Sequence, residues 1–356
     1  MLKGAIIGFG QVAENAHVPA WIKNKSFSIV AVVDESPERR ELATQYFPGI
    51  RKYASVEELF DGERSLDFVD IATPPFLHTY QAVLSLQRGC HVLCEKPLAL
   101  TLKDCENLRT QALSQDRVVF NVDNWKYAPL FLQAARLVDS GAIGTVAHIE
   151  LHTLRERPAQ NAGSGSWRTD RLKSGGGILV DHGWHNFYLL QRLVQVQPKA
   201  VSAHFVIPQH RVVEEEVFCT IEYPQCCAVL YMSWRSPYRS NWGIVYGTTG
   251  TLEMRDDLIL LTRKNAPQQK FEFAQKLSQG SAHPDWFKAM IEDFAAEIAK
   301  PELRYRNLGE AELCVTLLAY INQSHRLGGK ALTLPAYAAP ISRGESHLAT
   351  SRIQSP

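Results

Sequence analysis

The first third of the chain alternates between apolar runs rich in Val and Ile and stretches with the periodicity of amphipathic helices. The apolar runs are LKGAIIGF, FSIVAVVD, LDFVDIAT, HVLCEK and RVVFNVD, and stretches such as SPERRELATQYF and HTYQAVLSLQRG lie between them. Short strands separated by helices are typical of βαβ units, whose strands lie parallel in one sheet. Residues 1–122 are therefore predicted to form an α/β domain with a parallel sheet.

The pattern changes from about residue 123, where longer strand-like segments follow one another with few helices between them. TVAHIELHTL, EVFCTIEYP, CAVLYMSWR and GTLEMRDDLILLTR are examples, and two amphipathic helices come late in the chain. This succession predicts an α+β domain over residues 123–335 with a large, mostly antiparallel open sheet. Residues 336–356 show little pattern and are expected to form a C-terminal tail.

One strand of that second domain bears on the oligomeric state. The segment CAVLYMSW is apolar on both faces of the predicted strand, and an open sheet must cover its second face or make it polar. We therefore expect a homo-oligomer, either a homodimer or a homotetramer.

Composition narrows the class of protein. The 356 residues exceed what one hydrophobic core usually serves, and 38 basic against 37 acidic residues give no surplus for binding nucleic acid or a membrane surface. No apolar run is long enough to cross a bilayer, and MLKGAIIGFG is interpreted as a first strand and not as a signal peptide. The seven cysteines include no CxxC pair, which predicts reduced thiols in a cytoplasmic protein.

A glycine motif follows the first predicted strand. Its GxGxxA pattern consists of Gly8, Phe9, Gly10, Gln11, Val12 and Ala13. The first glycine permits a tight turn, the second lets backbone approach a pyrophosphate, and the helix that follows directs its N-terminus at the phosphates. The motif alone would also fit an ordinary βα turn, but its place at the start of a βαβ unit favours a Rossmann dinucleotide site.

The second predicted strand ends at Asp34, near the spacing expected for a carboxylate that binds ribose hydroxyls. Such a carboxylate repels a 2′-phosphate, so NAD is expected as the cofactor. Arg39 and Arg40 follow closely and keep NADP open, because one of them could hold that phosphate; otherwise they are solvated helix residues.

Two further segments end predicted strands at the edge where open α/β sheets bind ligands. ATPPFLH places Thr73 and Pro74 there, and His78 is expected to contact the cofactor unless it is a solvated residue beside a helix cap. In HVLCEKPLAL, proline biases Lys96 toward an extended conformation, in which its side chain could reach a substrate oxygen. Glu95 and Lys96 are counted with the cofactor-binding residues.

The segment GGGILVDHGWH, residues 175–185, brings Asp181, His182 and His185 together. On an α-helix, Asp181 and His185 share one face, whereas His182 is expected to face elsewhere. Three interpretations stay open: a metal site, for which too few converging ligands are present; a helix cap beside two buried histidines; and a proton-transfer site. No metal is expected.

These segments together resemble the glucose–fructose oxidoreductase / inositol dehydrogenase family, also written Gfo/Idh/MocA. The features that carry the resemblance are GFGQVA, VDESPER, ATPPFLH, EKPLAL, SGAIGTV, SWRTD and GGGILVDHGWH, and the pairing of EKP with the later Asp and His is the most specific of them. The resemblance implies a Rossmann domain followed by an α/β domain with a large open sheet. It also implies oxidation or reduction of a hydroxyl–ketone centre on a sugar, cyclitol or related molecule.

The resemblance assigns catalytic roles to Lys96, Asp181 and His185, and places Trp167 and Arg168 near the nicotinamide. On this basis His185 is expected to act as general acid/base, Asp181 to orient it or the substrate, and Lys96 to polarise the reacting oxygen. His182 and Trp184 depart from the family pattern, because other members often have small residues there.

Two alternative functions stay open, namely a glycoside hydrolase that uses NAD transiently and a non-catalytic NAD sensor. Neither the substrate nor the direction of reaction follows from the sequence. Arg155 and Arg157 begin the loop RERPAQNAGSGSWR, residues 155–168. They are expected to be solvated, although they could meet a carboxylate or phosphate on the substrate.

Overall fold

The computed structural model describes residues 1–159, 167–280 and 282–336, and the predicted tail from residue 337 onward lies outside the described residues. The first sheet is six-stranded, all parallel, with the order β3-β2-β1-β4-β5-β6. Its strands are β1 (Leu2–Ile7), β2 (Phe27–Val33), β3 (Arg51–Tyr53), β4 (Phe68–Ile71), β5 (His91–Cys94) and β6 (Val119–Asn121). This is the doubly wound dinucleotide-binding order, with a crevice beside β1 where the strand order reverses.

The helices of this domain are α1 (Val18–Lys23), α2 (Pro37–Tyr46), α3 (Val56–Gly62), α4 (Pro75–Gln87) and α5 (Leu102–Gln115). Short polar residues start three of them: the side chains of Ser36, Ser55 and Thr101 each accept a hydrogen bond from the backbone N–H three residues later. Such caps satisfy N–H groups that have no partner within the helix. The prediction of an α/β domain with a parallel sheet is confirmed.

The second sheet has nine strands in the order β14-β13-β12-β11-β7-β10-β9-β8-β15. The strands are β7 (Val146–Leu154), β8 (Ala200–Val206), β9 (Glu216–Glu222), β10 (Cys227–Ser233), β11 (Ser240–Gly247), β12 (Gly250–Arg255), β13 (Leu258–Arg263), β14 (Gln269–Glu272) and β15 (Leu332–Thr333). All neighbours are antiparallel except β7 and β10. The prediction of a mostly antiparallel sheet is confirmed, but GTLEMRDDLILLTR is a hairpin of two strands, because Asp256 takes a left-handed turn conformation.

The remaining helices are α6 (Pro129–Asp139), α7 (Arg171–Ser174), α8 (Trp184–Val194), α9 (Pro284–Ala299) and α10 (Arg306–Arg326). The inner face of the second sheet is buried, as at Leu230 of β10 and Leu151 of β7. The alternate residues stay partly exposed and include paired rings, with His152 stacked on Trp242 at 3.6 Å between ring centroids. No helix in the described part of the chain has the length and apolar character needed to cross a membrane.

The two late helices join the domains. Phe294 of α9 packs against Phe27, Phe68 and Phe120 of the first domain, with ring centroids 5.7 to 6.2 Å apart. Asn307 of α10 hydrogen-bonds to the backbone of Asn121, at the edge strand β6. A division at residue 122 therefore separates the two sheets, while α9 carries apolar side chains into the core of the first domain.

Candidate functional site

A cleft of about 1310 Å³ lies between the carboxyl edge of the first sheet and the second domain. Loops after β1, β2, β4 and β5 supply one wall, and segments beside β7, β11 and α8 supply the other. The carboxyl ends of parallel strands, at the point where the strand order reverses, are where open α/β sheets bind ligands.

The glycine loop has the shape that a dinucleotide needs. Gly8 has φ +90°, and a Cβ there would lie 2.9 Å from the backbone of Ala72, so a side chain is excluded twice over. A Cβ on Gly10, by contrast, would meet no protein atom within 4 Å, so that this backbone borders open space in the cleft. Gln11 and Val12 line the cleft beside it. These residues fit a pyrophosphate placed over the loop.

Asp34 connects the glycine loop to the end of β2. Its carboxylate accepts hydrogen bonds from the backbone N–H of Phe9 at 2.7 Å and of Ser36 at 2.9 Å, and it lines the cleft. Phe9 itself is buried, so it contributes through its backbone.

Neither neighbouring arginine is among the described residues that line the cleft. Arg39 forms an ion pair with Glu14 at 2.8 Å, and Arg40 donates to the carbonyl of Asp34 at 2.6 Å. In this arrangement Asp34 faces the cleft with both nearby guanidinium groups engaged elsewhere, which favours ribose hydroxyls over a 2′-phosphate.

Thr73 and Pro74 line the cleft, but His78 does not. The His78 ring is fully buried, with Nδ1 2.8 Å from the carbonyl of Pro97 and Nε2 2.8 Å from the carbonyl of Thr73. The expectation that His78 contacts the cofactor is wrong, and so is the alternative of a solvated residue. Its ring joins the loops after β4 and β5, which places it behind the cleft wall.

Lys96 reaches across the cleft to the second domain. Its Nζ donates to the backbone carbonyl of Asp181 at 2.6 Å and to Oδ1 of the same residue at 3.0 Å. Burial opposes ionisation of Asp181, but the positive charge of Lys96 and the nearby His182 hold the pKa of this carboxyl well below its usual range. The cleft therefore contains a fixed ion pair between a lysine of one domain and an aspartate of the other.

A buried polar network that the sequence analysis missed lies behind Lys96. The His17 ring is fully buried, with Nδ1 2.9 Å from Asp70 and Nε2 3.1 Å from Glu95. Burial would lower the pKa of His17, but the two carboxylates raise it to about 9. Glu95 in turn accepts the backbone N–H of Lys96 at 3.0 Å. The sequence signal for this network is Asp70, a charged residue in the otherwise apolar strand FVDI.

Asp181 and His182 lie in a π-helical turn, Leu179–Gly183, that leads into α8. All three polar residues of the segment, Asp181, His182 and His185, line the cleft. The expectation that His182 faces elsewhere is wrong, because it assumed α-helical geometry, and a π turn places successive side chains differently.

The His182 ring lies between a guanidinium and a carboxylate. Its Nε2 accepts a hydrogen bond from Nε of Arg155 at 3.0 Å, and its Nδ1 lies 3.2 Å from Oδ2 of Asp181. Because a guanidinium only donates, Nδ1 carries the ring proton. Burial lowers the pKa of His182 to about 4, so the ring is neutral near pH 7. In the described ranges of the chain, no three His, Cys, Asp or Glu side chains are grouped as metal ligands.

His185 differs from His182 in its surroundings. Its ring stacks on Trp125 at 4.6 Å between centroids, and Nδ1 lies 2.6 Å from the hydroxyl of Tyr188. Burial, the charge of Lys96 and the proximity of His182 lower the pKa of His185 well below its usual value. The ring is therefore neutral and, in the tautomer that donates from Nδ1 to Tyr188, has its Nε2 available as a base.

Two family models match the chain, one in each domain. The family model described as "Oxidoreductase family, NAD-binding Rossmann fold" matches residues 2–122, and the "GFO/IDH/MocA C-terminal domain" matches residues 131–253. The chain belongs to the Gfo/Idh/MocA oxidoreductase family. The resemblance stated from the motifs, and the NAD-binding Rossmann domain with it, are confirmed.

Curated relatives in the Gfo/Idh/MocA family are similar over part of the chain. D-apiose dehydrogenase from Paraburkholderia graminis is 35% identical over 143 residues, 40% of this chain and 38% of that protein. D-glucoside 3-dehydrogenase from Escherichia coli is 27% identical over 191 residues, 52% of this chain and 51% of that protein. The chain thus spans about half the length of these curated relatives, or less.

Solved structures agree over almost the whole fold. An inositol dehydrogenase homolog from Azotobacter vinelandii, complexed with NAD+, has a TM-score of 0.81 at 23% identity and covers 93% of this chain and 97% of its own. A levoglucosan dehydrogenase in complex with NADH also has a TM-score of 0.81, at 19% identity, covering 94% and 99% of the two chains. At these identities the likeness establishes the fold alone.

The glycines before the π turn have a structural explanation in this Gfo/Idh/MocA domain. A Cβ on Gly177 would lie 1.9 Å from the backbone carbonyl of Glu214, so only glycine permits this close approach. The Glu214 carboxylate accepts the backbone N–H groups of Gly177 at 2.7 Å and Leu179 at 3.2 Å. The segment beside β9 thereby caps the turn that presents Asp181 and His182.

The arginines at the start of the loop after β7 differ from each other. The side chain of Arg155 is buried, so the expectation of a solvated residue is wrong for it, whereas Arg157 is exposed and lines the cleft. Trp167 and Arg168 also line the cleft, with the Arg168 guanidinium 4.4 Å from the centre of the Trp167 ring. Residues 160–166 of the same loop lie outside the described residues.

Proposed function

We propose that this Gfo/Idh/MocA protein is an NAD-dependent dehydrogenase that moves a hydride between nicotinamide and a hydroxyl-bearing carbon of a sugar, cyclitol or related molecule. The observation that carries the proposal is the meeting of Lys96, Asp181 and His185 in the cleft onto which the glycine loop opens. Relatives named as dehydrogenases of D-apiose and D-glucosides support the same class of substrate.

The residues that would hold NAD lie along the first-domain wall. Gly8 and Gly10 would allow the pyrophosphate to approach the backbone, and Asp34 would accept hydrogen bonds from the ribose hydroxyls. We favour NAD over NADP because Arg39 is paired with Glu14 and Arg40 with backbone carbonyls. When bound, nicotinamide supplies the hydride acceptor or donor.

Lys96 and His185 would have different roles at the reacting oxygen of the substrate. Lys96 Nζ, fixed by Asp181, would donate a hydrogen bond to the substrate hydroxyl and stabilise the negative charge that develops there. His185 would accept the hydroxyl proton at Nε2, supported through Nδ1 by Tyr188, and would return it in the reverse direction. His182 cannot serve as this base, because Nε2 is occupied by Arg155 and Nδ1 carries the proton.

The test is NADH formation, or NADPH formation with the phosphorylated cofactor, across a panel of sugars and cyclitols. The Lys96→Met variant should lose about a hundredfold or more in kcat, because loss of an electrostatic stabiliser of this kind costs about that much. Lys103→Met, at an exposed position of α5, is the matched control and should change nothing. Full activity in Lys96→Met, or no cofactor reduction with any sugar or cyclitol, would contradict the proposal.

The outward face of the second sheet supports a homodimer or homotetramer as a further part of the proposal. Val229 and Tyr231 of β10 and Trp242 and Ile244 of β11 are only half-buried on this face. Glu150 and His152 of β7 lie between these two strands on the same face. A partly exposed sheet face that presents aromatic and apolar side chains among polar ones is typical of a surface that a second copy covers.

A further inference from the structure

The second-domain wall of the cleft is strongly cationic. The positively charged residues on it are Arg155, Arg157, Arg168, Lys173 and Arg239. Asp181 is the one carboxylate among the described residues on this wall, and its charge is already engaged by Lys96. A cleft wall of one sign attracts a ligand of the other sign.

Two of these residues, Arg155 and Arg239, hereafter the arginine pair, lie opposite each other at the end of one strand ladder. Leu154, the last residue of β7, pairs with Ser240, the first residue of β11. Arg155 comes directly after Leu154 and Arg239 directly before Ser240, so the two residues lie just beyond the last pair of the ladder, and the charge of Arg239 acts on Arg155. Like charges directly opposite each other on neighbouring strands are destabilising.

Arg155 has only neutral partners. Its side chain donates to the carbonyls of Leu154 and Ser240, to the Asn241 side chain at 2.9 Å and to the ring of His182. Among the described residues, no carboxylate lies within 4.0 Å of this guanidinium, which is only 3% exposed. Burial, and then the charge of Arg239, lower the pKa of Arg155 to about 9, although the carboxylates of Asp181 and Asp256 act against this shift from farther away. A buried cation without a carboxylate partner is costly unless an anion joins it.

Arg239 is the member of the arginine pair whose hydrogen bonds to the described residues do not use all of its N–H groups. Its Nε donates to the carbonyl of Ser278 at 2.8 Å and its Nη2 to the carbonyl of Gly280 at 2.9 Å, and both acceptors are neutral. Within the described part of the chain Nη1 makes no hydrogen bond, and the residue lines the cleft. The two bonds hold the guanidinium in place and leave one terminal nitrogen for a ligand.

We propose that the substrate of this site carries an oxyanion group, a carboxylate or a phosphate, and that Arg239, backed by Arg155, binds it. The inference rests on the proposed dehydrogenase function for the reacting end of the substrate. The anion in question is not the pyrophosphate of NAD, because the glycine loop that would hold that group belongs to the opposite, first-domain wall. The Nη1 of Arg239 would donate to an oxygen of this group, and a hydrogen bond between a guanidinium and a charged oxygen is about twice as strong as one to a neutral hydroxyl of a polyol.

The experiment compares matched sugars that differ only in charge. D-glucose, D-glucuronate and D-glucose 6-phosphate form one set, and D-galactose, D-galacturonate and D-galactose 6-phosphate another. NADH formation gives kcat/KM, and the rise in Tm of the enzyme–NAD complex on adding each sugar gives binding without turnover. One anionic arm, uronate or phosphate, should exceed the neutral sugar at least about tenfold in kcat/KM and raise the Tm more, and that arm identifies the oxyanion.

The Arg239→Gln variant should remove this advantage by raising KM for the anionic sugar about ten- to a hundredfold, the usual loss for a charged hydrogen bond. Its affinity for NAD should be unchanged. Arg235→Gln is the matched control, since Arg235 lies on the same loop but is exposed and paired with Glu216 at 3.2 Å. It should behave as wild type.

The outcomes separate the two proposals. Equal kcat/KM and equal Tm shifts for charged and neutral sugars would overturn the oxyanion site while leaving the dehydrogenase intact. An equal loss on both classes of sugar in Arg239→Gln would do the same. Tm shifts by the anionic sugars alone, abolished in Arg239→Gln but without NADH from any sugar, would support the oxyanion site and contradict the dehydrogenase.

Discussion

Two π-helical turns border the cleft, one in each domain, and they direct their histidines in opposite ways. The first π turn, Ala13–His17, follows the glycine loop and buries His17 between Asp70 and Glu95. The second π turn, Leu179–Gly183, presents Asp181 and His182 to the cleft. The same local geometry thus serves the interior of one domain and the ligand-facing wall of the other.

This difference shows that the charged groups around a buried imidazole determine whether it is protonated. Burial disfavours the charged form of both rings, yet two carboxylates raise the pKa of His17 to about 9. The pKa of His182 is lowered to about 4, because burial and the charges of Arg155 and Lys96 oppose the effect of its carboxylate neighbour, Asp181. Lys96 connects the two turns, because its backbone N–H bonds Glu95 and its Nζ bonds Asp181. The first π turn therefore stabilises the backbone at Lys96 through Glu95. The second π turn supplies Asp181, the carboxylate that pairs with the Lys96 side chain.

The largest effect on function is expected just beyond the second π turn, at His185. The His185→Ala variant should lower kcat about a hundredfold to ten-thousandfold, since general acid–base catalysis contributes about that much. Affinity for NAD should be little changed, and steady-state kinetics with NAD titration measure both quantities. His210→Ala, at an exposed position, is the matched control. Turnover within about twofold of wild type in His185→Ala would remove this residue from the mechanism.

A substitution in the first π turn should instead lower the free energy of unfolding. In His17→Ala, Asp70 and Glu95 lose their shared cation inside the core, and breaking such a buried pair costs about 3–5 kcal/mol in the free energy of unfolding. Denaturant unfolding measures the loss. An exposed histidine, His210→Ala, should shift the free energy by less than about 0.5 kcal/mol.

The sign of the pH dependence follows from the raised pKa of His17. Stabilisation by a group whose pKa rises from 6.5 to about 9 on folding is fully present below pH 6.5 and is lost as pH rises through about 9. Wild-type protein should therefore lose more unfolding free energy between pH 7 and pH 10 than His17→Ala does. Parallel pH curves for the two proteins would show that His17 is not charged in the core.

A smaller effect is expected at His182, which accepts a hydrogen bond from Arg155 and, in the proposed mechanism, does not exchange the substrate proton. The His182→Ala variant should lower kcat/KM about tenfold, the usual cost of leaving a buried donor without its acceptor. His182→Gln, which retains an acceptor, should recover part of the loss. A loss as large as that of His185→Ala, without rescue by glutamine, would assign the proton transfer to His182.

Much of the fold could be predicted because its signals are local. The alternation of strands and helices, the GxGxxA loop and the carboxylate of Asp34 each lie within a short stretch of chain. The cleft position of Lys96, Asp181 and His185 also followed from motifs, although their joint role in catalysis stays a proposal.

What could not be predicted depends on backbone geometry and long-range pairing. Periodicity treats every helix as an α-helix, so it misplaced His182 and gave no reason to bury His17. The partners of His17 are 53 and 78 residues away, and the arginine pair meets only because β7 and β11 are neighbours in the sheet. The burial of His78 could not be predicted for the same reason, since it depends on contacts with the loops after two different strands.

The most direct test of the central claim follows the transferred hydrogen itself. The best substrate of the panel is prepared with deuterium on each hydroxyl-bearing carbon in turn, and the NADH formed is analysed by mass spectrometry. The account predicts that one labelled position transfers its deuterium to the nicotinamide in stoichiometric amount, with His185→Ala slowing the transfer. NADH without deuterium from any labelled carbon, or product formed without net NADH, would contradict it.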